Sequence, residues 1–309
     1  MKTNIPERIA ALREAMRQQK VDAYIIPSSD PHLSEYPADR WKSREWISGF
    51  TGSAGTIVVT ADKAGLWTDS RYFLQAASQL EGSGIELYKL ALPETPSITE
   101  FLLHELHAGQ AVGLDGQTYS AAEASALANK LNRKEIKLDT SADLIEGIWK
   151  DRPAVPGNPI FEMPEALSGA SVHEKLDLIN NQLRSEGADC LILAALDEIA
   201  WTFNIRGTDV TYNPVVVSYA FVSEDESVLF IKPEKLTAEI TEHLKKEGVT
   251  LAEYSMIQRY LSRLPENSRV FVDMNKTNVS LYDAIPGSCT IVEGISPAAI
   301  LQNRQSFIM

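Results

Sequence analysis

His104 and His107 stand three residues apart on a predicted helix, a spacing that can hold a metal ion. Glu100 shares their face, opposite Ile98, Phe101 and Leu102. No nearby Cys, Asp or third His completes a ligand set, so a solvated helix face is the better reading. His32, His173 and His243 are isolated, with His173 in the first turn of its helix. Asp197-Glu198 is an adjacent carboxylate pair that could serve acid/base work. The plainer role for Asp197 is to cap the short helix that carries Trp201. Gly49-Phe50-Thr51-Gly52-Ser53-Ala54-Gly55 is rich in glycine but leads into a strand, whereas a phosphate cradle needs a helix N-terminus there. Tight-turn packing is expected instead, and no motif places a base for Ser53 as a nucleophile. Arg71 is singled out. It falls in the first helical turn after a strand ending at Thr68, in line with Gln75 and Ser78 and away from Phe73, Ala76, Ala77 and Leu80. A guanidinium near the carboxyl end of a sheet can reach a carboxylate or carbonyl across a cleft. On spacing alone an ordinary exposed arginine is the simpler reading. No metal cluster, catalytic triad or phosphate loop emerges.

The elements that would carry these side chains occur twice. Ile5, Ile9, Leu12 and Met16 form a helical stripe followed by the apolar run Val21 to Ile26. Val172, Leu176, Ile179 and Leu183 form another, followed by Ala188 to Leu193, at one constant offset. The stretch from Trp46 echoes that from Trp201, Leu66-Trp67-Thr68 parallels Leu229-Phe230-Ile231, and Val112 to Asp115 parallels Val270 to Asp273. Asn4 caps the first helix with Pro6 in its first turn, and Ser97-x-x-Glu100 and Ser171-x-x-Glu174 are capping boxes. Thr56 to Thr60 and Gly65 to Thr68 read as neighbouring strands, and Val215 to Val222 and Ser227 to Lys232 as another pair. Helices are expected from Asp69 to about Leu80, from Ser97 to Gly109, from Ser120 to Leu131, and from Pro233 to Gly248, and Ala142 to Trp149 closes the first half. Residues 151–159, with three prolines and a glycine, form a semi-rigid linker. Alternating strands and helices with hairpin neighbours imply an α/β fold of two similar domains, each a mixed sheet with helices packed on it.

A length of 309 residues suits two domains, each able to bury its own core. The formal net charge of −13 argues against nonspecific nucleic-acid binding and against docking on anionic membranes. Two cysteines make a disulfide framework unexpected, and Cys190 reads as a core thiol. No apolar run approaches a membrane span, and the N-terminus lacks a signal-peptide core, so a cytoplasmic protein is expected. The end, Ile300 to Met309, reads as the start of another segment.

Three stretches carry a resemblance. They are Ala23-Tyr24-Ile25-Ile26-Pro27-Ser28 with His32 and Ser34-Glu35-Tyr36; Ser48 to Thr56 leading to Trp67-Thr68-Asp69-Ser70-Arg71-Tyr72-Phe73-Leu74-Gln75-Ala76; and Ala195 to Trp201 through Phe203-Asn204, Arg206-Gly207, Asp209 and Asn213-Pro214. Ile148-Trp149-Lys150-Asp151-Arg152-Pro153 fits the linker. Together they resemble the N-terminal half of the long, three-domain Xaa-Pro aminopeptidases of the creatinase/prolidase-like family. The resemblance implies two creatinase N-terminal-type, ribonuclease H-like domains, here 1–152 and 153–309. It also implies a pita-bread catalytic domain, absent from this chain, that holds two divalent metals, typically manganese. A metal-bridging hydroxide would there attack the bond between an N-terminal residue and proline. The chain is thus expected to be a truncated, noncatalytic portion that shapes the substrate entrance and supports assembly of a homodimer. Arg71, by its match to the family's arginine, is expected to bind the substrate, a short peptide with proline in second position. The alternative is a stand-alone two-lobed protein holding a small ligand between its duplicated domains. A duplicated ATP-binding fold of the actin kind would need phosphate loops and acidic metal ligands that the sequence lacks.

Overall fold

The computed structural model describes residues 4–306. Met1 to Thr3 and Phe307 to Met309 lie outside the described residues, and with them the ends of both terminal readings. Packing divides the chain into two units: Met1–Asp30 with Asp39–Ala154, and Pro31–Ala38 with Val155–Met309.

The first unit holds β1 (Ala23–Ile26), β2 (Thr56–Thr60), β3 (Ala64–Thr68), β4 (Glu86–Lys89), β5 (Ala111–Leu114) and β6 (Lys137–Asp139). The second holds β7 (Phe161–Glu162), β8 (Cys190–Leu193), β9 (Ile205–Arg206), β10 (Tyr219–Ser223), β11 (Ser227–Phe230), β12 (Val249–Ala252), β13 (Arg269–Val272) and β14 (Thr290–Glu293). The sheet orders are β4-β3-β2-β1-β5-β6 and β12-β11-β10-β8-β13-β14, with a small β7-β9 ribbon added to the second unit. In each sheet the central strand pairs antiparallel on one side and parallel on the other, and the two outermost pairs are parallel. One mixed topology therefore occurs twice.

Alternation along the central strands explains how each sheet is covered. Tyr24 and Ile26 pack with Ile5, Ile9, Leu12 and Met16 of the helix Ile5–Gln19, while Ala23 and Ile25 face Phe101, Leu102 and Leu127 across the sheet. Leu191 and Leu193 likewise meet Leu176, Ile179 and Leu183 of the helix Val172–Glu186, and Cys190 and Ile192 face the opposite core. Strands buried on both faces read as continuous apolar runs, which is why β1 and β8 stand out in the sequence.

Polar devices are duplicated as well. Asp22 accepts the amide of Ala111 at the start of β5, and Asp189 accepts that of Arg269 at the start of β13, each at 2.8 Å. Arg8 donates to the carbonyl of Trp46 and lies 4.4 Å over its ring. Lys175 donates to the carbonyl of Trp201 at 2.9 Å and lies 4.9 Å over that ring. A cation within about 6 Å of an indole is attracted by its quadrupole, so both pairs fasten the long helix before a central strand to the short helix after it, Ser43–Ser48 in one unit and Leu196–Thr202 in the other.

Several expectations require correction. The helix from Ser97 ends at Glu105 rather than Gly109, because Leu106 is already extended. Pro233–Lys235 is a separate 3-10 turn, and the helix proper is Ala238–Lys246, capped by Thr237. The strand read from Val215 begins at Tyr219.

Candidate functional site

Arg71 is positioned by the end of β3. Asp69 caps the turn that follows, accepting the amide of Arg71 at 3.0 Å. Its two oxygens also take Nε and Nη2 of Arg71 at 2.9 and 2.8 Å, a fork-to-fork pair that fixes the plane of the guanidinium. The Arg71 bonds hold the Asp69 carboxyl below its ordinary range. The Arg71 side chain remains 67% exposed and lies 5.2 Å over the ring of Tyr72, so a preset cation faces solvent. The expected single helix is in fact a 3-10 turn, Ser70–Tyr72, followed by the helix Phe73–Gln79. The turn carries Arg71, and the buried stripe is Ala76 and Leu80, with Phe73 half-buried and Ala77 exposed.

The glycine-rich loop supports this turn from behind. Tyr72 and Ser53 share a hydroxyl hydrogen bond at 2.6 Å. Thr51 binds Gln75 and Gln79, each at 2.9 Å. A Cβ on Gly52 would come within 2.3 Å of Phe50 and 2.7 Å of Tyr72, so glycine is needed for close packing, as the sequence suggested. Arg44 was not anticipated. It is buried, donates to Ser28 and to the carbonyls of Phe50 and Gly52, and lies 4.9 Å over Phe50. Burial pushes its guanidinium down to about 10. Its signal was the first turn of the helix Ser43–Ser48, where Arg44 and Ile47 fall on one face three residues apart.

The other sequence candidates do not converge. His104 is exposed and bonds Glu105 at 2.9 Å. No group of three or more His, Cys, Asp or Glu that could hold a metal ion occurs among the described residues, so the donor set here does not fit a metal centre. The expectation for Asp197 fails: the helix Leu196–Thr202 starts after Ala195 with no side-chain cap, and Asp197 lies exposed within its first turn. Its neighbour Glu198 is 3% exposed, and burial pushes its carboxyl up to about 7. His32, read as isolated, is 2% exposed and belongs to the second unit.

Two helix-flanked mixed sheets of one topology, with an arginine presented at the end of β3, define a duplicated α/β scaffold. Residues 8–148 match the Creatinase/Prolidase N-terminal domain, and residues 151–305 match a second family of the same description. The chain belongs to the creatinase/prolidase N-terminal domain family, with that domain present twice. It is 38% identical to Aminopeptidase P2 of Arabidopsis thaliana over 93% of this chain and 41% of that protein. It is also 38% identical to a probable Xaa-Pro aminopeptidase P of Coprinopsis cinerea, over 94% of this chain and 46% of the relative. The chain thus spans less than half the length of these two relatives. The crystal structure of X-prolyl aminopeptidase from Caenorhabditis elegans, described as a cytosolic enzyme with a di-nuclear active site, superposes with a TM-score of 0.89. Identity there is 28%, over 96% of this chain and 51% of that one. Among the described residues no helix is long and apolar enough to cross a membrane.

Proposed function

We propose that this chain is the noncatalytic N-terminal portion of a metal-dependent Xaa-Pro aminopeptidase, built from two creatinase N-terminal-like domains. The observation that carries the reading is 38% identity to Aminopeptidase P2 over 93% of the chain. In this reading the whole enzyme removes the N-terminal residue from peptides with proline in second position. Its two divalent metals, manganese in this proposal, belong to a further domain, and it works as a cytosolic homodimer. Arg71 meets the far end of the peptide. A guanidinium already held flat by Asp69 loses little freedom on binding a carboxylate or carbonyl, which favours its use as a fixed stop for a short substrate.

Arg71→Ala in the longer enzyme tests this. Removing one charge-assisted hydrogen bond to the bound peptide should lower kcat/KM on Xaa-Pro peptides by about 10- to 100-fold, with melting unchanged. Unaltered kinetics would remove Arg71 from the substrate site.

A further inference from the structure

The chain passes into the second unit at Pro31 and leaves it at Ala38, yet this segment precedes the rest of that unit by more than a hundred residues. The family match at 151–305 does not contain it. The His32 ring is enclosed by aromatic neighbours. Its centroid lies 4.4 Å from Tyr219 and 5.9 Å from Tyr254, which themselves stack at 5.1 Å. Nδ1 sits 2.8 Å from the carbonyl oxygen of Ala194 just past β8, so that nitrogen carries a proton. In the neutral ring Nε2 then accepts from the Tyr254 hydroxyl at 2.9 Å. The carbonyl of Pro31 accepts from Asn278 Nδ2 at 2.7 Å and from the Tyr219 hydroxyl at 3.3 Å. Asn278 is fully buried and uses its other end to cap the helix Val279–Asp283, so its amide orientation is fixed from both ends. Leu33, which follows His32, has φ of 55°, a left-handed conformation that a side chain bearing a Cβ adopts only where its surroundings impose it.

We propose that Ala194, Tyr219, Tyr254 and Asn278 form a slot built for one kind of occupant, a turn that offers a backbone carbonyl followed by a histidine ring. Residues 31–38 occupy it as a strap. The second domain is therefore discontinuous in sequence, and the stretch from 153 onward lacks the piece that closes this rim. Hydrogen exchange on the whole chain tests the assignment. His32→Ala should speed amide exchange at least 10-fold around Leu193–Leu196, Tyr219–Phe221 and Tyr254–Ile257, and leave β2 and β3 as in the wild type. His32→Asn, which keeps a donor near Ala194, should recover most of the protection at Leu193–Leu196 and little at Tyr254. If His32→Ala does not accumulate, Tyr254→Phe removes only the hydroxyl at Nε2 and should speed exchange at Tyr254–Ile257 alone. An unchanged second unit, or equal acceleration in both units, would overturn the proposal.

Discussion

Replacing Glu198 by glutamine should match the parent protein in acid and exceed it in stability at alkaline pH. Glu198 lies in the first turn of the helix Leu196–Thr202 and is 3% exposed. Burial dominates its shift up to about 7 from the ordinary 4.5, with Asp197 and Asp273 pushing the same way and Lys276 opposing. The nearby Ser296 hydroxyl biases the carboxyl downward but has no partner in hydrogen-bonding geometry. A raised carboxyl binds its proton more tightly folded than unfolded. Its stability is therefore complete below about 4.5 and is lost as pH rises through 7. At 1.36 kcal/mol per unit, that span is worth about 3 kcal/mol. Glutamine keeps the shape and never ionises, so Glu198→Gln should melt with the parent near pH 4.5. Near pH 8.5 it should melt roughly 6–12 °C higher, taking 2–4 °C per kcal/mol for a domain of this size. Calorimetry at both pH values reads the difference directly. An equal effect of the substitution at the two pH values would refute the assignment of a neutral, buried Glu198.

Two further perturbations test the packing. Lys235 and Asp209 form an ion pair with side-chain exposures of 0% and 1%, so Lys235→Met should cost about 3–5 kcal/mol in urea unfolding by leaving a buried carboxylate without its countercharge and with only the Val217 amide, and adding Asp209→Leu should recover part of that. The matching long helices Ile5–Gln19 and Val172–Glu186 each end in a left-handed cap, Lys20 at φ 58° in one and Gly187 at φ 71° in the other. Lys20→Gly removes the Cβ penalty and should stabilise the first unit by about 0.5–1 kcal/mol; a loss of stability would show that the lysine side chain contributes more than its backbone strain costs.

What the sequence disclosed and what it concealed follow the same physics. The stripes Ile5-Ile9-Leu12-Met16 and Val172-Leu176-Ile179-Leu183 were legible because a whole helix face repeats at one period. The duplication was legible because β1 and β8 are buried on both faces. The outer strands β4, β6 and β14 were not, since three or four residues with half-exposed patterns carry no periodicity. Lys175 carries a charge, yet it is buried beside the stripe. Trp201 and Asn204 take its ammonium, and burial pushes it down to about 8. Asp197 misled because an acidic residue before an apolar helix looks like a cap, whereas Ala195 occupies that position. The place of Arg71 was legible from the strand that precedes it. Its pairing with Asp69 was not, because the helix start is a 3-10 turn that brings a residue two positions back into reach. His32 could not be placed by any local rule, since Ala194 and Tyr254 lie far along the chain.

The central claim is that these two domains frame a reactive centre they do not contain. The purified 309-residue chain should be incubated with an Xaa-Pro peptide and manganese, and release of the N-terminal amino acid followed by chromatography. No release above the peptide-only control is the predicted result. Hydrolysis that co-elutes with this chain through gel filtration would contradict it.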